Sequence, residues 1–382
     1  MNRFKKIIKD NIKKRFFDYD VIQNINYYRE DQKKVLISYM TIVYQPNFNN
    51  ERIYHTNILE LQEIMRWFIE NDYSIDLIDS LSNILNYNSI LKKQYDVIFG
   101  FGEPFDYLKE IQVSAKKILY VTENDFETSY RCELERIKYY KERTGKNVKL
   151  VRSGKYYKNQ SFSNIDALIT LGEPKVFEKY SADKYYLSPT GLKNNKYKFV
   201  DRNFRESKKN FLWFGSNGAI HKGLDLLLEA FKDINFATLH IFGLNKYDKK
   251  ILKVKEQENI KIYDKVNVQD DFFMEIVNKC SYIFMPSCSE AKSTAVLTCM
   301  RHGLIPIVTN TMGFNEYREY VTIIDDFSID NIKRTIKKST EIDNEVLSKY
   351  HKKVFDFSNK YFCLDRYRKD INIILSKILE EN

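Results

Sequence analysis

The first half of the chain alternates between short apolar runs and stretches with helical periodicity. The runs are rich in β-branched and aromatic residues, which is typical of buried strands. Between them, residues 55–71 place Leu61 and Phe68 on one face of an amphipathic helix. A charged helix is predicted at 129–143 and closed by Gly145. Strands that alternate with helices predict a parallel, doubly wound sheet. The predicted strands are 33–44, 74–78, 95–100, 117–122 and 167–170.

Residues 188–210 break this pattern. Pro189, Gly191 and many charges replace the apolar periodicity, which indicates an interdomain linker. Beyond it the alternation restarts, and a long amphipathic helix is predicted over 361–379. Two α/β units joined by a linker place a ligand in the cleft between them, at the C-terminal ends of the strands. The predicted strands here are 210–214, 237–242, 260–263, 282–285 and 304–309, and the helices are 224–231, 272–279 and 295–302.

The chain is therefore predicted to have an α/β fold of two Rossmann-like, doubly wound domains that face each other across a cleft. The C-terminal helix is expected to pack back toward the N-terminal domain. The predicted division is a basic amphipathic segment at 1–20, an N-terminal domain at 21–190, a linker at 191–209, a C-terminal domain at 210–360 and the C-terminal helix at 361–382.

Charge adds a further constraint. Lys and Arg number 62 against 52 Asp and Glu, which gives the 382 residues a formal net charge of +10. Such a surplus fits a nucleic-acid binder, a protein that works on an anionic surface or substrate, or a solvated lysine-rich surface. The five cysteines form no C-x-x-C pair and the five histidines no H-x-x-x-H pair. We therefore expect free thiols in a reducing compartment and no metal site.

Much of the positive charge lies at the beginning of the chain. Within residues 1–18, Phe4, Ile8 and Phe16 fall at helical spacing, and lysines and arginines fill many of the other positions. Such a helix can lie on an anionic bilayer, or it packs on its own domain with its lysines in water. No apolar run is long enough to span a membrane, and no secretory signal is evident. We expect a cytoplasmic protein, peripheral on the inner face of the plasma membrane if residues 1–17 bind there.

The first candidate site follows the predicted strand 210–214. The sequence FGSNGAIHKG at 214–223 supplies a glycine loop and Lys222 at the start of a helix. Glycines let the backbone approach a phosphate, and the lysine supplies a positive charge. The spacing matches neither a Walker A loop nor G-x-G-x-x-G, so an ordinary strand-to-helix turn is the alternative.

The second candidate site is the sequence MPSCSEAKSTAVLTCM at 285–300. Glu290 lies in the loop after a predicted strand, and Ser293 or Thr294 is well placed to begin the next helix. The N–H groups of its first turn would face the cleft, where they favour an anion. Thr298 lies about two helical turns after Glu290 and on much the same face. A solvated loop carboxylate is the alternative for Glu290 alone.

Together these two blocks resemble the C-terminal nucleotide-sugar domain of family 4 (group 1) glycosyltransferases, which have the GT-B fold. The resemblance extends over residues 210–330 and includes the turn TNTMG at 309–313. It implies that Lys222 and the backbone around Ser293–Thr294 bind the diphosphate of a UDP- or GDP-sugar, while Glu290 binds sugar hydroxyls. It also implies a retaining transfer in which the protein positions the substrates and stabilises the leaving diphosphate, without metal or cofactor.

Two positions depart from the family pattern. Thr298 stands where the family's second glutamate binds the ribose hydroxyls. Ser216 and Asn217 stand where a basic residue is expected after the first glycine. A hydroxyl can still donate and accept hydrogen bonds, so Thr298 stays among the predicted donor-binding residues. The predicted donor-binding residues are Gly215, Ser216, Lys222, Glu290, Ser293, Thr294 and Thr298.

The N-terminal domain resembles the family in architecture, and in little sequence beyond the helix start at 55–57. This start and the acidic cluster at 123–125 follow predicted strands and are expected at the cleft. The alternatives are plain helix-terminal roles, a first-turn residue and an N-cap cluster. The predicted acceptor-binding residues are His55, Thr56, Asn57 and Glu123. The predicted catalytic residues are Glu290, Lys222 and His55.

Three other interpretations stay open. A UDP-sugar 2-epimerase shares the two-domain fold and would act without an acceptor. A catalytically silent nucleotide-sugar binder is favoured by the two departures. A nucleic-acid binder is favoured by net charge alone, without a zinc knuckle or RNP-like motif. Our prediction is a retaining glycosyltransferase that acts on a glycan or lipid-linked acceptor in surface polysaccharide synthesis and binds no nucleic acid.

Overall fold

The computed structural model describes residues 20–44, 55–264 and 266–380. Within these ranges the chain forms one sheet of seven strands and one of six, with helices packed against them. The predicted basic segment lies outside the described residues, apart from its last position. The strands are β1 (Val21–Ile25), β2 (Lys33–Tyr39), β3 (Tyr73–Asp79), β4 (Val97–Gly100), β5 (Lys116–Val121), β6 (Ala167–Thr170), β7 (Asp183–Tyr186), β8 (Asn210–Phe214), β9 (Thr238–Phe242), β10 (Ile260–Ile262), β11 (Tyr282–Met285), β12 (Ile305–Thr309) and β13 (Thr322–Ile324). The helices are α1 (Thr56–Glu70), α2 (Asn88–Leu91), α3 (Glu103–Ile111), α4 (Phe126–Thr144), α5 (Pro174–Phe177), α6 (Phe204–Ser207), α7 (Leu224–Phe231), α8 (Lys246–Leu252), α9 (Asp271–Lys279), α10 (Thr294–Met300), α11 (Ile329–Glu341), α12 (Asn344–Tyr361) and α13 (Leu364–Glu380).

The first sheet has the strand order β1-β3-β2-β4-β5-β6-β7. Val35, Leu36 and Ile37 of β2 are fully buried, so this strand is covered on both faces. Such a strand has no polar side, which explains the continuous apolar runs in the sequence. The predicted parallel, doubly wound sheet is confirmed. The edge strand β1, which the pattern did not predict, pairs with β3 in antiparallel orientation. Its sequence VIQNI places Asn24 at φ 60° and contains no apolar run.

The second sheet, β10-β9-β8-β11-β12-β13, is parallel throughout. Trp213 of β8 is fully buried in its core. The two sheets face each other with the C-terminal ends of their strands. Asn124, just after β5, donates hydrogen bonds to Ser289 Oγ and Glu290 O, which follow β11. This confirms the predicted pair of Rossmann-like domains across a cleft.

The predicted linker packs against both domains. Gly191 N donates to Phe362 O at 3.0 Å, so the two segments that cross between the domains lie side by side. Thr190 N donates to Glu60 Oε1 at 3.1 Å. Glu60 is fully buried, and burial raises its pKa to about 7. The chain therefore contacts a buried carboxyl group of the N-terminal domain directly before the predicted linker.

Helix α13 returns the chain to the N-terminal domain. Arg368 forms a two-point ion pair with Glu63 of α1, at 2.8 and 2.9 Å. Tyr367 is buried in the N-terminal core, where its hydroxyl lies 3.1 Å from that of Tyr120. The helix begins at Leu364, later than the sequence pattern suggested, because residues up to 361 belong to α12.

Candidate active site

The glycine loop between β8 and α7 holds Lys222 at its end. Gly215 N donates to Phe242 O at 3.2 Å, and Lys222 N donates to Gly218 O at 2.9 Å, which closes the loop on itself. The indole Nε1 of Trp213 donates to Lys222 O at 3.1 Å. These bonds fix the backbone on both sides of the lysine. The Lys222 side chain is consequently buried against the protein.

Glu290 lies in the loop between β11 and α10, and the turn after β12 supports that loop. Glu290 N donates to Thr311 O at 3.2 Å. Gly313 has φ 71°, and a Cβ at this position would lie 1.4 Å from Ala291 O. Only glycine permits so close an approach, so the TNTMG turn can press directly against the Glu290 loop.

Lys222 and Glu290 meet as a buried ion pair. Lys222 Nζ donates to Glu290 Oε1, and Ser287 Oγ donates to the same oxygen at 3.4 Å. Arg152 Nη2 lies 3.9 Å from Glu290 Oε2. Burial opposes ionisation of Glu290, but Lys222, Arg152 and His221 outweigh it and lower the pKa to about 2. The side chain is therefore a carboxylate at physiological pH and can accept hydrogen bonds from hydroxyl groups.

Arg152 reaches this cluster from the N-terminal domain. Its Nη2 donates to Glu123 Oε1, just beyond the end of β5. The backbone around it is anchored because Glu133 accepts hydrogen bonds from Val151 N (2.9 Å) and Ser153 N (2.8 Å). Glu123 thus joins the Glu290 cluster through Arg152. Sequence reasoning selected Glu123 but missed Arg152, which nothing in the local sequence separates from its basic neighbours.

A second buried charge pair lies behind the glycine loop. His221 Nε2 lies 2.7 Å from Ser289 O, and its Nδ1 lies 3.3 Å from Cys288 Sγ and 3.7 Å from Glu133 Oε1. Burial lowers the pKa of His221, but Cys288 and Glu133 outweigh it and raise the pKa to about 10. Lys222, Arg152 and a protonated His221 therefore each lie beside a carboxylate, those of Glu290, Glu123 and Glu133.

The backbone N–H groups at the start of α10 have no side-chain cap, whereas the hydroxyl of Thr298 already makes two hydrogen bonds. Ser293 is the N-cap of α10, and its side chain makes no capping hydrogen bond, which leaves the N–H groups of the first turn available to other acceptors. Thr298 Oγ1 donates to Thr294 O at 2.7 Å and accepts a hydrogen bond from Leu192 N at 3.0 Å. A ribose contact of Thr298 stays a prediction, and it would compete with this bond to the linker. Ser216 is exposed in the glycine loop.

The predicted acceptor-binding residues at 55–57 begin α1. His55 is exposed at the N-cap, while Thr56 is buried with its hydroxyl 3.5 Å from Asn57 Oδ1. Residues 45–54, directly before them, lie outside the described ranges. In the acidic cluster at 123–125, Asp125 is the N-cap of α4, as the plainer alternative predicted.

Lys292 was not selected from the sequence, although it lies inside the second motif. Its Nζ donates to Leu171 O, at the end of β6 in the other domain, at 3.0 Å. Burial lowers its pKa to about 8. Lys292 is part of the second motif, but its position between the two domains follows only from the folded structure.

Comparisons with known proteins agree with this geometry. Residues 196–354 match the family model described as Glycosyl transferases group 1. No curated protein sequence matches the chain. Sucrose-phosphate synthase from Thermosynechococcus elongatus is 10% identical with a TM-score of 0.63, over 92% of this chain and 100% of that chain. WaaG, a glycosyltransferase involved in lipopolysaccharide biosynthesis, is 14% identical with a TM-score of 0.57, over 90% and 99%.

Two further structures resemble the chain. Anabaena Alr3699/HepE, solved in complex with UDP and glucose, is 10% identical with a TM-score of 0.56, over 90% of this chain and 99% of that chain. TarM is 14% identical with a TM-score of 0.54 over 81% of this chain. The chain spans only 60% of the length of TarM. At these identities the likeness shows the fold alone.

The facing Rossmann-like domains, with an ion pair between a glycine loop and a helix start, define a two-domain protein of the GT-B fold. The matching family model then identifies residues 196–354, the greater part of the C-terminal domain, as a Glycosyl transferases group 1 domain. The nucleic-acid alternative, which depended on net charge alone, gains no support from these comparisons.

Proposed function

We propose that this enzyme transfers a sugar from a UDP- or GDP-sugar to a glycan or lipid-linked acceptor. The observation that carries the proposal is the buried Lys222–Glu290 pair between the glycine loop and the start of α10. It sets a cation for the diphosphate directly beside a carboxylate for the sugar hydroxyls. The structurally similar HepE, which was solved in complex with UDP and glucose, supports the donor class.

On the donor side, the diphosphate takes Lys222 as its charged partner. The backbone N–H of Ser216 and those of Ser293 and Thr294 at the start of α10 add hydrogen bonds, and Gly215, whose own N–H donates to Phe242 O, holds the loop beside them. Glu290 accepts hydrogen bonds from the sugar hydroxyls and orients the ring. As the bond to the anomeric carbon breaks, negative charge grows on the leaving diphosphate, where Lys222 stabilises it.

On the acceptor side, the N-terminal domain supplies the positioning groups. We assign this role to the α1 start at His55, Thr56 and Asn57, and to Glu123. The acceptor hydroxyl attacks from the face that the diphosphate leaves and gives its proton to the departing phosphate. No protein carboxylate is required as a nucleophile, and positioning accounts for much of the rate.

The acceptor belongs, in our proposal, to surface polysaccharide synthesis at the inner face of the plasma membrane. The structural likeness to WaaG, a glycosyltransferase involved in lipopolysaccharide biosynthesis, supports this class of pathway. No helix in the described parts of the chain is long and apolar enough to cross a bilayer. We assign the attachment to residues 1–17 because their sequence combines basic residues with apolar positions at helical spacing.

Deletion of residues 1–17 is expected to release the protein from anionic vesicles. The physical reason is that the segment contains seven Lys and Arg residues and one Asp. Each basic residue near an anionic surface contributes about 1 kcal/mol to the free energy of membrane binding. Co-sedimentation with phosphatidylserine-containing vesicles measures the effect, and neutral vesicles serve as the control. Equal binding of the full-length and shortened proteins would rule out this attachment.

A thermal-shift screen with UDP, GDP and their sugars tests the donor assignment. A ligand that binds only the native state, at about 100 times its Kd, stabilises it by about 2.7 kcal/mol, enough to raise Tm by roughly 3 °C in a chain of this size. The nucleosides without phosphate are the control and should have little effect. If no nucleoside diphosphate raises Tm, the proposed donor site is wrong.

A further inference from the structure

Arg152 lies directly over the glycine loop. A Cβ at Gly218 would lie 3.3 Å from Val151 Cγ2 and 3.6 Å from Arg152 Cγ. The stem of Arg152 therefore packs on the loop backbone, and its guanidinium extends along the loop toward Glu290. The anchoring of residues 151 and 153 by Glu133 holds this approach in place.

The guanidinium of Arg152 includes an N–H group that makes no hydrogen bond to the described residues. Its Nη2 donates a hydrogen bond to Glu123 and lies near Glu290. Its Nε is buried and has no hydrogen-bond partner among the described residues. A buried N–H without a partner is unfavourable, and arginine presents its five donors as a planar fork suited to phosphate. An oxyanion that entered beside Glu290 would meet Nη2 of this fork first.

Lys222 and Arg152 converge on one carboxylate from two sides. Lys222 contacts Glu290 Oε1, and Arg152 Nη2 lies 3.9 Å from Oε2. A diphosphate that enters beside Glu290 therefore lies within reach of both cations and shares them with the carboxylates that they contact. Among the loop's own residues, Ser216 and Asn217 are exposed and uncharged, and His221 contacts Ser289, Cys288 and Glu133, which leaves Lys222 as the loop cation beside Glu290.

We propose that Arg152 is the second cationic ligand of the donor diphosphate, supplied by the acceptor-side domain. This inference rests on the proposed function, since it needs a nucleoside diphosphate at the Lys222–Glu290 pair. Arg152 supplies a positive charge that Ser216 and Asn217 of the glycine loop do not supply. It also makes diphosphate binding depend on the contact between the two domains, because Lys222 and Arg152 come from different domains.

Nucleotide binding to Arg152→Ala measures this directly. Calorimetric titration with UDP and UMP, and with GDP and GMP, compares ligands that differ by one phosphate. A charge-assisted hydrogen bond implies that Arg152→Ala weakens diphosphate binding by about 10- to 100-fold, with a much smaller effect on the monophosphate. Arg152→Lys, which keeps the charge and loses the fork, should lie between the two.

Arg143→Ala is the matched control. Arg143 also joins the domains, through an ion pair with Asp225, but none of its described contacts is with Glu290. It should leave the preference for diphosphate over monophosphate unchanged. Equal losses of both ligands in Arg152→Ala and Arg143→Ala would overturn the inference and leave Arg152 a domain-bridging residue.

The wild-type titration separates this inference from the proposed function. If the wild type binds no nucleoside diphosphate, the proposed function fails and the inference falls with it. If the wild type binds and Arg152→Ala retains the full diphosphate preference, the inference alone is wrong. Should Arg152→Ala not fold, Arg152→Gln, which preserves a polar stem of similar length, replaces it in both comparisons.

Discussion

Glu290→Gln is expected to lower kcat by about 100- to 1000-fold, the usual effect of removing one preorganised electrostatic contact from a reacting centre. Glutamine has nearly the same shape, but it cannot offer two charged oxygens to the sugar hydroxyls. Steady-state release of nucleoside diphosphate measures the loss. Glu275→Gln is the control, since Glu275 is an exposed residue of α9 that forms an ion pair with Lys279 of the same helix. Near-normal turnover would remove Glu290 from the active site.

A loss of stability would also lower turnover, and a double variant of the Lys222–Glu290 ion pair separates the two causes. Lys222 and Glu290 are both buried, so Glu290→Gln leaves a buried ammonium without its counter-charge, at a cost of about 3–5 kcal/mol. The double variant Lys222→Met/Glu290→Gln removes both charges and should recover much of that stability. It should recover no activity. Activity that returned together with Tm would contradict a catalytic role for the pair.

Lys222→Met is the second large effect that we expect, again about 100- to 1000-fold in kcat. The physical reason differs, because Lys222 stabilises the charge that develops on the leaving diphosphate rather than the sugar. Affinity for a nucleoside diphosphate should fall as well, whereas affinity for the nucleoside should not. Lys222→Arg keeps the charge and should retain part of both properties.

The discriminating measurement for Lys222 is turnover alongside binding. Steady-state kinetics and titration with UDP or GDP should show both quantities reduced in Lys222→Met and partly restored in Lys222→Arg. If Lys222→Met binds the diphosphate as the wild type does, the glycine loop is an ordinary strand-to-helix turn, as the alternative interpretation holds.

The fold was predictable where strands are buried on both faces. Central strands such as β2, β5 and β11 are continuous apolar runs, and the alternation with helices indicated the doubly wound sheets. The edge strand β10 was predicted, whereas the edge strands β1, β7 and β13 were missed, because an edge strand is only partly covered and carries a weaker apolar signal. The edge strand β7 has the sequence DKYY, which carries no apolar run, and β1 is interrupted by Asn24.

The candidate site was predictable only where its residues share a motif. Lys222 and Glu290 each stand in a recognisable block, and the fold brings them together. Arg152 lies far from both blocks along the chain, and its position over Gly218 depends on how the two domains meet. The partner of Thr298 is equally non-local, since Leu192 N lies 106 residues away in sequence. No periodicity or spacing in a single sequence encodes such contacts.

The stereochemistry of transfer tests the central claim most directly. Wild-type enzyme is incubated with UDP- and GDP-α-linked sugars, with water or a mixed glycan as acceptor, and the first product formed is followed by proton NMR. A retaining glycosyltransferase that acts through the Lys222–Glu290 site should release nucleoside diphosphate and form the α-anomer first, and Glu290→Gln should form neither at a comparable rate. A β-anomer formed first, or no turnover of any nucleotide sugar, would contradict the account.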